Sequence, residues 1–540
     1  MAKTKAPINI GVLFDWHAEQ TRQTKIILDR PLDIAPDLGT SLDGAALAAL
    51  VRDTASCLYA AGLRAGKRLV IVKDNHFDIV LTAAAAARIG ALPVMMAPIT
   101  SIEAIATMIR RAEPALLVVG SSVLTRAAVA DVELAPPGCT VIEVGAPATE
   151  TLAANRLRFD DLRGAPAAPV QVNADLEPMI VTHTSGTTGT PKLVVHSAYT
   201  ALGALPYRLE SLRRLPLLTS SPNDVVASGI SFAHMRALSW VRSQLIIAPR
   251  AMVVLSNPDP SSVARMLAEH RPTSLEALPN IFQRWEELVD RDPALFAQVR
   301  RFISTFDAVH PRTVRKFLAA SRHRFPVWAW GLGQSEIAGI TANVFTRRTV
   351  RPRTGLRNAA TNVGWPTLVT VRLVDPQTGK PARRGESGLI MVKTRTRCLT
   401  YLGEDDRHRA KIDGKWWNTG DLGVHAGYGR IMLIDREVDL LPGVSCIEIE
   451  STLLDRLEQA TEIVVLATPD GLPLPVVATL DGKLDPQDWQ RAAAGLIPLG
   501  APKVMQWEDI PRTATWKVRR VELREQVLGS GAGLGSGQWT

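Results

Sequence analysis

A chain of 540 residues is long enough for several compact units, and 46% hydrophobic against 21% charged residues lets it bury large cores, which excludes bulk disorder. The formal net charge of +9 suits an anionic ligand, but the lysines and arginines are scattered rather than blocked, which argues against a nucleic-acid partner. The four cysteines, Cys57, Cys139, Cys398 and Cys446, share no metal-ligand spacing and are too sparse for a disulfide scaffold, so a reducing compartment is expected.

Residues Met1 to Pro7 lack the apolar core of a signal peptide. Apolar residues at helical spacing predict a helix over Asp43 to Ala61. A short strand over Arg68 to Val72 and a second helix over Phe77 to Gly90 come next. Pro93 to Met96 and Ala115 to Val119 continue the alternation, which implies crossover connections and a mainly parallel sheet. The most apolar stretch, Ile79 to Ile99, is interrupted by Arg88 and Pro93 and reads as a buried helix leading to a strand, not a membrane span. A soluble cytoplasmic protein with no membrane partner is expected. Arg163 to Pro178, rich in Pro and Ala, reads as a linker between lobes. Met179 to Val181 is a short strand running into a polar loop. From Arg351 to about Ile434, short apolar runs separated by turns such as Asp375-Pro376-Gln377-Thr378-Gly379 predict a β-rich region. Mixed patterns continue to Leu528, and Gly529 to Thr540 reads as a flexible Gly- and Ser-rich tail.

The polar loop is Thr184-Ser185-Gly186-Thr187-Thr188-Gly189-Thr190-Pro191-Lys192. Glycines allow close approach of backbone to a phosphate. Successive N–H groups and hydroxyls can cradle its oxygens, and the lysine adds positive charge. The spacing is not that of a Walker A loop. The residue order matches the nucleotide loop of the adenylate-forming superfamily, which includes acyl-CoA synthetases, peptide-synthetase adenylation domains and luciferases.

Further segments resemble that family in its order along almost the whole chain. Trp330-Gly331-Leu332-Gly333-Gln334-Ser335-Glu336 looks like its aromatic-Gly-x-Thr-Glu element. The resemblance implies that Glu336 helps hold Mg²⁺ beside the phosphates of ATP, as suits one carboxylate with phosphate oxygens and waters. Trp417-Asn418-Thr419-Gly420-Asp421 resembles the Thr-Gly-Asp motif, implying that Asp421 accepts from the ribose hydroxyls. Asp435-Arg436 resembles the hinge pair, with Arg436 also reaching the ribose. Pro511 to Arg520 resembles Pro-x-Thr-x-x-Gly-Lys-x-x-Arg, implying that Lys517 bridges the attacking acid and the α-phosphate. A lysine there would neutralise charge building on phosphorus and orient the nucleophile. His234, in Ser231-Phe232-Ala233-His234, stands where the family often has an acyl-pocket histidine; a buried structural histidine is the alternative.

The implied architecture is α/β: a large N-terminal region of two parallel α/β subdomains plus a β-rich subdomain, with a small mobile α+β C-terminal domain. The expected division is 1–435 for adenylation, 436–528 for the mobile unit carrying Lys517, and 529–540 for the tail. The implied function is ATP- and Mg²⁺-dependent activation of a small acid, expected to be aromatic, with release of pyrophosphate.

Four departures from the family bear on the step after activation. The Gly-rich turn is replaced by Ser304-Thr305-Phe306-Asp307-Ala308. If Phe306 and Asp307 face the pocket beside Trp330, they favour a small substrate and an amine near Asp307; if they face outward, Asp307 is merely solvated. Leu332 stands where an aromatic normally stacks on adenine. Trp516 replaces the glycine before the lysine, where a large indole would exclude water. The hinge segment is shortened between Arg436 and Glu448-Ile449-Glu450, on the surface where a thiol normally enters. The acceptor therefore stays open. It is by default a thiol (coenzyme A or a carrier protein), alternatively an amine, including diazotase-type transfer of an activated nitrite to an aromatic amine. A non-catalytic nucleotide-binding relative is the third alternative.

Overall fold

The computed structural model describes residues 5–145, 156–184, 190–205, 218–350, 361–436, 445–468, 472–513 and 516–529. The nucleotide-loop residues Ser185, Gly186, Thr187, Thr188 and Gly189 lie outside the described residues, as do the shortened hinge segment after Arg436, the side chains of Asp435 and Arg436, and the tail beyond Gly529.

The helix expected near residues 43–61 spans Gly44–Ala60 and starts at Asp43, whose carboxylate accepts from the Ala46 N–H as an N-cap should. The apolar stretch after it forms the helix Asp78–Arg88, buried along its whole length, followed by the strand Leu92–Met96. Its run Ala83 to Ala87 permits close approach of a neighbour: a Cβ on Gly11 would lie 2.6 Å from the Arg88 nitrogen. Among the described residues no helix is long and apolar enough to cross a membrane.

Two large sheets result. The first has eight strands, in the order Thr400–Tyr401, Leu193–Ser197, Pro178–His183, Leu92–Met96, Arg68–Val72, Leu116–Gly120, Thr140–Val144 and Arg156–Arg158. Its centre is parallel, as the strand–helix alternation requires. Pro178–His183 and Leu193–Ser197 form an antiparallel pair. The residues after Arg163 cross the surface of this lobe, pinned by Ala168 N–H to Ser56 Oγ and Gln171 N–H to the Arg88 carbonyl.

The second sheet has fourteen strands. Lys25–Leu28, Ala251–Val254, Val225–Gly229, Ser274–Ala277, Arg301–Ser304 and Val327–Trp330 are parallel neighbours. Thr341–Thr346 then pairs antiparallel with Val327–Trp330 and carries the sheet into the β-rich region. That region therefore begins before Arg351 and continues the second parallel sheet without a break. Phe282, Phe302, Phe317 and Trp328 pack with centroids 4.6–6.3 Å apart. The cluster anchors Arg301–Ser304 and Val327–Trp330, the strands that feed the site; such pairs contribute about 0.5–1.5 kcal/mol each beyond their burial.

The C-terminal residues form a three-stranded sheet of Ala460–Leu466, Leu474–Thr479 and Lys503–Gln506, with helices Cys446–Arg456, Pro486–Ala493 and Arg520–Leu528. Arg312 holds this unit against the second sheet. Its guanidinium donates to the carbonyls of Leu454 (2.7 Å), Leu457 (2.9 Å) and Ala460 (2.7 Å), from the last turn of Cys446–Arg456 to the start of the strand Ala460–Leu466.

Candidate active site

The site residues follow the carboxyl ends of strands. Thr184 follows Pro178–His183, His234 follows Val225–Gly229, Phe306 and Asp307 follow Arg301–Ser304, and Leu332 follows Val327–Trp330. Open α/β sheets bind ligands at that edge. Lys517, from the C-terminal unit, lines one cavity with Phe306, Asp307, Trp330, Leu332, Gly333, Gln334 and Asp421.

Asp421 reaches the cavity through a bulge. Opposite Leu389 to Met391, the partner strand runs from Leu422 to Asn418, so its extra residues bend outward. Gly420 takes φ +76°, and the Thr419 hydroxyl accepts from the Asp421 N–H at 3.1 Å. Gln334 then orients the carboxylate: its Nε2 donates to Asp421 Oδ2 at 2.9 Å and to the Thr419 carbonyl at 2.8 Å, while its Oε1 accepts from Trp417 Nε1 at 3.3 Å. Gly331 is required for backbone approach, since a Cβ there would meet the Thr341 carbonyl oxygen at 2.1 Å.

Thr184 and Lys192, which flank the polar loop, are hydrogen-bonded to each other. Thr184 N–H donates to the Lys192 carbonyl and Lys192 N–H to Thr184 Oγ1, both at 3.0 Å. The Lys192 ammonium stands 5.4 Å from the Tyr401 ring centroid, and burial lowers its pKa. Tyr401, fully buried, donates its hydroxyl to Glu336 Oε1 at 2.7 Å. Burial, with that carboxylate beside it, pushes the phenol pKa upward. Glu336 is itself buried. Among the described residues no cluster of three or more acidic, histidine or cysteine side chains is arranged to hold a metal. Tyr401→Phe should cost about 1–2 kcal/mol in unfolding free energy, because it leaves a buried carboxylate without its donor. Urea unfolding would show it, and an unchanged midpoint would mean that water replaces the hydroxyl.

Two histidines clamp the residue before Glu336. His196 Nε2–H donates to the Ser335 carbonyl at 2.8 Å. His234 accepts from the Arg236 N–H at Nδ1 (3.1 Å), so its proton sits on Nε2, 3.3 Å from Ser335 Oγ. Burial brings the pKa of His196 to about 4. Burial, with His183 and Lys517 nearby, brings that of His234 to about 3. Both are neutral at physiological pH.

Phe306 and Asp307 are both among the residues that line the cavity. Phe306 meets His234 edge-on at 4.5 Å and adopts φ +86°, a conformation natural to glycine that costs a bulky residue about 1–3 kcal/mol. One Asp307 carboxylate oxygen accepts from the Ala308 N–H (2.9 Å), and Trp330 Nε1 donates to the Asp307 carbonyl (3.0 Å). Trp516 also keeps a glycine-like φ, +59°, but its indole stacks on Trp507 at 5.5 Å and 22°. It is not among the residues lining the cavity. The turn that presents Lys517 is tied by Thr513 N–H to the Lys517 carbonyl (2.7 Å) and Lys517 N–H to Thr513 Oγ1 (3.1 Å). Sequence reasoning missed Tyr401 and Arg312; each is a lone residue whose partner is distant in the chain.

Comparison with known proteins identifies the family. The AMP-binding enzyme family matches residues 14–402. A 3-amino-2-hydroxy-4-methoxybenzoate diazotase of Streptomyces cremeus is 35% identical over 541 aligned positions, covering 96% of each chain. A long-chain-fatty-acid–CoA ligase of Mycobacterium tuberculosis is 24% identical over 91% of this chain and 94% of its own. Among solved structures, an anthranilate–CoA ligase in complex with anthranoyl-AMP superposes with a TM-score of 0.78 at 19% identity, covering 98% of this chain and all of that one. The protein belongs to the AMP-binding, adenylate-forming enzyme family.

Proposed function

We propose that this adenylate-forming enzyme activates nitrite with ATP and transfers the nitrosyl group to an aromatic amine of the aminobenzoate type, forming a diazonium. The observation that carries this reading is that Asp307 lines the same cavity as Lys517 and Asp421, with Phe306 also in its wall. The whole-length similarity to a diazotase supports it, and the shortened hinge segment argues against a thiol acceptor.

In the first step a nitrite oxygen attacks the α-phosphorus and the bond to pyrophosphate breaks. Closure of a unit spanning about 436–528 over 1–435 would deliver Lys517 to neutralise that phosphorus. Thr184, Ser185 to Gly189 and Lys192 hold the phosphates in this reading, Asp421 and Arg436 the ribose, and Leu332 and Gly333 the base. Glu336 would hold Mg²⁺, which when bound offsets charge on the departing pyrophosphate. In the second step the amine nitrogen bonds the nitrosyl nitrogen, the N–O bond to AMP breaks, and AMP leaves. Asp307 takes the proton released by the amine. The nitrosamine tautomerises to the diazohydroxide, which takes up one proton and loses water to give the diazonium.

The two half-reactions separate under Asp307→Asn. We expect nitrite-dependent pyrophosphate exchange to stay within about threefold of wild type, while diazonium formation, read by coupling to a phenol dye, falls about 100-fold. A wild-type enzyme that gives pyrophosphate with a carboxylate, and then a thioester with coenzyme A, would return the function to acid–thiol ligation.

A further inference from the structure

The turn after Arg301–Ser304 holds a bulky residue in a backbone conformation that glycine adopts freely. Phe306 sits at φ +86°, and its neighbours show what its ring does there. It packs against both large hydrophobic cores at once, meets the His234 ring edge-on at 4.5 Å and 67°, and lines the cavity that contains Lys517. His234 cannot yield to it. Its Nδ1 is held by the Arg236 N–H and its Nε2 by Ser335 Oγ, while Ser335 is held through its carbonyl by His196. The strand behind Phe306 is equally fixed, because Trp328 Nε1 donates to Ser304 Oγ at 2.8 Å. A glycine at 306 would relieve the backbone and open a ring-sized space between His234 and the cavity. Strain held at a site by rigid surroundings points to a role for the side chain.

We infer that Phe306 is the specificity-determining residue of the acid site: its ring occupies the space that the side group of a carboxylic acid needs, so that only an anion the size of nitrite fits beside His234 and Lys517. The assignment rests on the nitrite reading. It also explains how the enzyme avoids adenylating the carboxylate of an aminobenzoate acceptor, a side reaction that would consume ATP and block the amine. The aromatic carboxylate is excluded from the acid position by the phenyl ring, whereas its amine reaches the nitrosyl group from the Asp307 side.

The test compares wild type, Phe306→Gly and Phe306→Leu by ATP–pyrophosphate exchange with nitrite, acetate, benzoate and 3-aminobenzoate, alongside thermal unfolding. Wild type should exchange with nitrite and with none of the carboxylates. Phe306→Gly should gain benzoate-dependent exchange at least about tenfold above background and raise the KM for nitrite about tenfold, as expected when a hydrophobic wall is removed. Phe306→Leu should admit acetate before benzoate, and it controls for loss of packing in the glycine variant. Wild type exchanging with benzoate but not nitrite would overturn the nitrite reading itself. Wild type using nitrite, with folded glycine and leucine variants that still reject every carboxylate, would overturn the gate alone.

Discussion

Lys517→Ala should lower adenylation by about 10²–10³-fold, the loss typical when one preorganised donor to a developing charge is removed, while MgATP binding persists. Several features place this residue. It lines the cavity with Asp421 and Leu332, and its charge helps depress the His234 pKa. The turn that carries it is closed by two hydrogen bonds to Thr513. The unit behind it is seated by Arg312 on three carbonyls between the end of Cys446–Arg456 and the start of Ala460–Leu466. The loss should appear in kcat for pyrophosphate release rather than in the dissociation constant for ATP, because in the proposed role the lysine would meet charge that grows only as the new P–O bond forms. Stopped-flow or exchange measurements with calorimetric ATP titration separate the two. A variant with near-normal exchange would mean that another cation serves the α-phosphate. A variant that no longer binds ATP would mean that Lys517 acts in ground-state binding.

Local order was legible in the chain, and long-range order much less so. Arg68–Val72 forms the strand its apolar run predicts, and Asp43 caps the helix it precedes, because both depend on neighbours within a few residues. Fusion of the β-rich region to the second parallel sheet was not legible. It depends on Thr341–Thr346 pairing with Val327–Trp330, and nothing in either segment specifies the other. Lys25–Leu28 likewise joins Ala251–Val254, more than 200 residues away. Contiguous motifs named Asp421, Glu336 and Lys517 as candidates, whereas the residues that orient them are scattered. Tyr401 reaches Glu336 across 65 positions, and a single tyrosine carries no spacing signal. Trp417 lay beside the Thr-Gly-Asp motif and gave a weak hint, but its bond to Gln334 is a property of the folded sheet.

Lowering the pH from 7 to 4.5 should remove about 5 kcal/mol of stability through two histidines alone. His17 and His196 are almost wholly buried, and burial brings both pKa values from 6.5 to about 4. Each stays neutral in the folded chain while the unfolded chain takes up a proton below pH 6.5. Stability is therefore full above pH 6.5 and is lost as pH falls toward 4. The slope is about 1.4 kcal/mol per pH unit per histidine, or roughly 2.5 each by about pH 4.5. That sum is comparable to the whole stability of a marginal domain. Urea unfolding at the two pH values checks it, with His196→Asn as the control. The variant should be weaker at neutral pH, having lost the bond to Ser335, yet lose about 2.5 kcal/mol less than wild type on acidification. An equal loss would show that His196 is not a source of the acid sensitivity. The proposed chemistry gives this sensitivity a consequence. Nitrite nitrosates amines unaided only in acid, where it is protonated to nitrous acid. A protein that holds Ser335 between two buried neutral histidines is least stable under those conditions. On the proposed chemistry, an enzyme working near neutrality would create the nitrosyl electrophile by esterifying nitrite to a phosphate, the step that Lys517 would assist.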